Sequence, residues 1–106
     1  MADRKKDELV RFLEERAFKP VLNAEPKSRS DAEQRKLEHV QKATRAEIER
    51  LHNYGSAQEV VTNFRRDLTS EPVKRIHAEL RSLGLPTINE LREEFERRAA
   101  ELGVTG

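Results

Sequence analysis

The chain of 106 residues has no cysteine, no tryptophan, one methionine and one tyrosine. Without cysteine there is no disulfide framework, no thiolate metal site and no cysteine nucleophile. Long hydrophobic runs are also missing. The longest stretches of large apolar residues are pairs such as Leu9-Val10, Phe12-Leu13 and Val60-Val61, whereas a membrane-spanning helix needs about 18 apolar residues or more. Met1 to Asp7 mixes both charges with no apolar region behind it, unlike a secretory signal. The cytoplasm is the expected location. Glycine is scarce, with four residues standing singly at 55, 84, 103 and 106. This excludes a glycine-rich phosphate loop, and no serine has the flanking glycines of a strained nucleophile elbow.

Charge of one sign is lacking too. Lys and Arg number 21 against 20 Asp and Glu, a net charge of +1. The balance holds along the chain, with no basic or acidic tail. A strongly electrostatic nucleic-acid binder usually carries a basic excess.

What the chain does have is charge in general, 39% of residues, and a hydrophobic share of only 35%. That raises the question of disorder, which two counts answer. Leu, Ile, Val and Phe make 25 of 106 residues, above the ~20% below which chains tend to stay unfolded, and the small net charge removes self-repulsion as an opening force. One folded domain over 1–106 is expected.

The apolar periodicity is helical throughout. Leu9, Leu13 and Ala17 with Phe12 predict a first helix from Arg4 to Phe18. Pro20 and Pro26 then predict a loop from Phe18 to Ser30, since a proline inside a helix loses a backbone bond. Ser30-Asp31-Ala32-Glu33 reads as a capping box opening a helix of about 24 residues, some 36 Å. Its apolar residues Leu37, Val40, Thr44, Ile48, Leu51 and Tyr54 form one narrow seam. Gly55 suits a left-handed helix end, and Ser56-Ala57-Gln58-Glu59 is a second box before the stripe Val60, Val61, Phe64, Leu68. Thr69 or Ser70 caps a fourth helix with Pro72 in its first turn and the stripe Val73, Ile76, Leu80, Leu83, ended by Gly84. Thr87-Ile88-Asn89-Glu90 is a third box, before Leu91, Phe95, Ala99 and Leu102. With no period-two segment, the expected architecture is an all-α bundle of four to five helices, short connections and one long central helix.

Chemistry-bearing spacings are few. His39, His52 and His77 show no zinc-protease pairing. Glu49-x-x-His52 has the spacing used in di-metal bundles, but such a site needs the motif twice plus two facing glutamates, and no second copy exists. No cofactor or metal is expected. The histidines read as edge-of-core residues with one ring nitrogen in water. Basic pairs at Arg65-Arg66 and Lys74-Arg75 flank the turn of residues 56–83, a unit with roughly helix-turn-helix dimensions. It lacks the glycine often found in that turn and carries Asp67, Glu71 and Glu79 among its charges.

These observations predict a non-enzymatic helical protein acting through protein–protein interaction, an adaptor or regulatory module. The seam Leu37, Val40, Ile48, Leu51, Tyr54 would pair with a partner helix or a second copy of the chain. Lys19, Lys27 and Arg29 would make loop contacts. A nucleic-acid-binding regulator using Arg65, Arg66, Lys74 and Arg75 is the alternative. Acid–base catalysis needs carboxylates or histidines converging in a water-poor pocket, for which a core this small leaves little room.

Overall fold

The computed structural model describes residues 4–25 and 30–104, all helix and connection with no strand among them. The order is α1 (Arg4–Leu13), a π turn (Glu14–Phe18), α2 (Lys19–Leu22), α3 (Asp31–Asn53), α4 (Ala57–Asp67), α5 (Glu71–Ser82), a 3-10 turn (Ile88–Leu91) and α6 (Arg92–Glu101). The fold is the expected small all-α bundle.

The first correction concerns Phe18 to Ser30. The helix does not stop at Phe18 but continues to Leu22 with Pro20 inside it. The π turn makes this possible. The Lys19 amide donates to the Glu14 carbonyl, five residues back, so the backbone widens just before the ring that lacks a donor. Pro20 then occupies the first turn of a renewed α register, where a missing N–H costs little. The turn also aims Ala17, Phe18 and Val21 inward, all of them buried.

Side-chain caps close two of the helix starts, while Ser70 opens α5 without a side-chain bond. Ser30 and Ser56 each accept the amide of the glutamate three residues on, at 3.3 Å in both cases. Glu59 reaches back to the Gly55 amide at 2.9 Å. Gly55 itself is not left-handed; the positive φ values belong to Gly84 and Gly103, both at 74°. These two close paired six-to-one and five-to-two bonds, Leu85 to Leu80 with Gly84 to Arg81, and Val104 to Ala99 with Gly103 to Ala100. Thr87 departs from its expected box. Its hydroxyl makes no capping bond and is buried without a partner, while a 3-10 turn begins instead.

Cross-links fix the helix directions. Arg16 meets Glu94 at 2.7 Å, while the far end of α6, at Gly103, lies close to Lys5; α1 and α6 are therefore antiparallel. Lys36 donates to Ser82 at 3.2 Å and His39 faces Glu79 at 3.7 Å, so α3 and α5 are antiparallel as well. Gln41, from α3, donates its amide to the carbonyls of Val21, Leu22 and Ala24 at 3.1–3.4 Å. That single side chain helps to close the C-terminus of α2, where helical carbonyls lack the usual i+4 amide, alongside the Ala24 amide that the Val21 carbonyl also accepts.

The buried residues form two clusters. The larger joins α1, the π turn, α4, the 3-10 turn, α6 and Leu51 near the end of α3, centred on Phe95. Phe64 lies 3.9 Å and Phe12 6.3 Å from Phe95, ring centre to ring centre. The smaller joins Val21, Leu37, Val40 and Leu80, binding α2 and the first half of α3 to α5. Between the two clusters the packing is incomplete.

Candidate functional site

That gap is a cleft of about 320 Å³, within the size range of roughly 300–1,000 Å³ common for ligand sites. The π turn and α2 supply Ala17, Phe18 and Val21; α3 supplies Ala43, Thr44, Glu47 and Arg50. The end of α4 contributes Asp67, the turn after it Ser70, and α5 contributes Val73, Ile76, His77 and Leu80. Pro86 and Ile88 complete the wall. The cleft exists because α4 packs on α1 while α5 packs on α3, and the short link between them spans the divide.

Most of this lining is apolar. The polar groups are few and differ in state. The Thr44 hydroxyl is already engaged, donating to the Val40 carbonyl at 2.7 Å. Glu47 and Arg50 form an ion pair with each other on one face of α3. Asp67 and His77 are different. The part-buried Asp67 carboxylate accepts no hydrogen bond from a described residue, and burial holds its carboxyl above the ordinary value, against the smaller opposing pull of Arg50, Arg66 and His77. His77 is 7% exposed. Burial pushes its imidazole below the ordinary value, Arg81 adds to this, and Asp67 and Glu90 oppose it. At neutral pH the site holds an under-solvated carboxylate beside a neutral imidazole.

Asp67 is also the last residue of α4. A helix C-terminus carries partial negative charge and favours cations, so a carboxylate there is doubly disfavoured. A costly polar group lining an apolar cleft is a mark of a binding or reactive site.

The residues singled out in the sequence fare differently. Leu37, Val40 and Leu51 are 5%, 0% and 3% exposed and belong to the chain's own clusters. Ile48 and Tyr54 are part-buried and packed against the larger one. The narrow seam is thus the inward face of α3 and is not free for a partner helix. Its narrowness reflects the light cover that α2 and α5 give α3. Lys19 lies exposed on α2, on a helix instead of the expected loop; Lys27 and Arg29 fall outside the described residues.

The basic pairs do not act together. Arg65 turns to α6 and grips Glu96 through two bonds of 2.7 Å, which holds the Glu96 carboxyl below its ordinary value. Arg66 bonds Asn63 on its own helix. Lys74 stands 3.7 Å from Glu71, and Arg75 is exposed. Since α4 and α5 find different main packing partners, residues 56–83 are two separately anchored helices. His52, of the Glu-x-x-His spacing, pairs with Glu14, and among the described residues no three His, Asp or Glu are grouped to hold a metal ion.

Sequence reasoning missed the cleft because its lining comes from four separate stretches of chain. Two local signals were available: a carboxylate at the wrong end of α4, and a histidine adjoining the Ile76 stripe. No protein family, no curated protein and no solved structure matches the chain. No helix among the described residues is long and apolar enough to cross a membrane.

Proposed function

We propose that this protein is a non-enzymatic binding module of the cytoplasm, adaptor or regulatory in role, whose recognition site is the cleft between α3 and α5. The observation that carries the reading is the cleft itself: a mostly apolar hollow whose lining includes the part-buried Asp67 carboxylate, with no hydrogen bond from a described residue, and the buried His77 ring. Buried polar groups are normally satisfied, and a ligand supplying both apolar surface and a hydrogen-bonding end removes the cost. Occupancy ties the π turn, α3 and α5 together, joining the two core clusters. A protein partner, or a second copy of the chain, then reads the joined state from outside, by a surface other than the buried seam.

Asp67 and His77 both line the cleft, but among the described residues no group hydrogen-bonds the imidazole to orient it, so the arrangement suits binding better than acid–base turnover. Nucleic-acid binding by Arg65, Arg66, Lys74 and Arg75 has less in its favour, because two of the four are drawn into pairs with Glu96 and Glu71.

The test uses a neutral apolar probe and a filled cleft. Benzyl alcohol at millimolar concentration is expected to raise the melting temperature of the wild type and not of Val73→Trp, whose indole occupies the space. Equal shifts for both proteins, or none for either, would contradict the reading.

A further inference from the structure

The lining combines apolar residues, among them Val21, Val73, Ile76 and Leu80, with the polar or charged Glu47, Arg50, Asp67 and His77. Glu47 and Arg50 cancel one another through their ion pair. His77 is neutral at pH 7, as its burial dictates. Asp67 is then the carboxylate of the lining with no ion pair or hydrogen bond to a described residue, Arg50 and Arg66 acting on it only from a distance. We infer that the cleft takes a free small-molecule amine, its ammonium set against the Asp67 carboxylate and its apolar body along Val73, Ile76 and Leu80.

The chemistry of the lining selects among head groups. An ammonium brings both the donor and the positive charge that the carboxylate lacks, and charge-assisted bonds are roughly twice as strong as neutral ones. The neutral His77 ring adds an acceptor for a second ammonium hydrogen. An anion would be repelled by Asp67 and would find Arg50 already paired. An alcohol supplies a donor but leaves the charge uncompensated. The location of Asp67 at the end of α4 strengthens the same preference, because the helix carbonyls there also favour a cation.

The inference rests on the cleft being the recognition site, and the probes separate the two claims. Dissociation constants at pH 7.5 are measured for benzylamine, benzyl alcohol, phenylacetate and acetyl-lysine-amide, with the wild type and with Asp67→Asn. Benzylamine is expected to bind about tenfold more tightly than benzyl alcohol, with phenylacetate weakest. Asp67→Asn should erase the amine preference, bringing benzylamine to the level of benzyl alcohol in the same variant. Equal binding of amine and alcohol, a preference that survives Asp67→Asn, or tighter binding of phenylacetate would overturn the amine assignment while leaving the cleft as a site. Tighter binding of acetyl-lysine-amide than of benzylamine would overturn the free amine in favour of a partner's lysine. Binding of none of them would remove both claims.

Discussion

Phe95, fully buried, joins α6 to α1 and α4 through its contacts with Phe12 and Phe64. Phe95→Ala is expected to cost about 3–5 kcal/mol in chemical denaturation, the usual range for a buried phenylalanine; a loss below about 1 kcal/mol would mean the larger cluster is held elsewhere. Asp67 makes the opposite case. Its carboxyl is raised by burial, so the stability attached to it is complete below the unfolded carboxyl range and lost as pH rises through the folded value. At neutral pH the ionised group is therefore a net cost, and Asp67→Asn should raise stability by up to about 1 kcal/mol, the size of a helix-end charge effect. His77 has the reverse sign. Its folded value lies below 6.5, so its contribution is complete above 6.5 and lost as pH falls from there. Thermal stability should decline between about pH 7 and pH 5, and the decline should shrink in His77→Gln. An unchanged slope in that variant would place the acid sensitivity in other groups. A carboxylate kept at a stability cost in a hollow is what a binding site kept for function looks like.

At the scale of elements, the chain states its helices clearly where local chemistry decides them. Ser30 and Ser56 cap as their S/T-x-x-E patterns indicate, and Gly84 and Gly103 take the left-handed conformation expected of helix-ending glycines. The failures have physical causes as definite as the successes. Pro20 was read as a terminator because the α-helix rule allows nothing else; a π turn changes the register and removes the conflict. Thr87 has the residues of a capping box, but packing at 1% exposure and a 3-10 start take precedence over its side-chain bond. Gln41 was invisible because its acceptors lie 17 to 20 residues away. It also yields a prediction. Gln41→Ala removes the donor shared by the Val21, Leu22 and Ala24 carbonyls, so about 1–2 kcal/mol should be lost and amide exchange at Asn23 and Ala24 should quicken. Unaltered exchange there would show that α2 ends without help from α3.

The whole molecule measures 45 × 26 × 19 Å, and α3, with 23 residues, accounts for about 35 Å of helix. Apolar spacing located the inward face of every long helix, but not which helix would cover which. That is why Leu37, Val40 and Leu51 suggested a partner when they were core. It is also why the cleft could not be read from the chain: it arises where α4 and α5 part to different neighbours, an outcome of packing and not of any motif. With the seam internal, sedimentation equilibrium at high micromolar concentration is expected to give the 12.3 kDa monomer in the absence of ligand, and a dimer weakened by changes at Leu37 or Leu51 would contradict that placement. The claim that recognition happens in the cleft is met most directly by amide spectra recorded during a benzyl alcohol titration. Saturable shifts confined to Ala43, Thr44, Val73, Ile76 and His77 and their immediate neighbours are predicted. Shifts gathered along the outer faces of α1 and α6, or none that saturate, would contradict it.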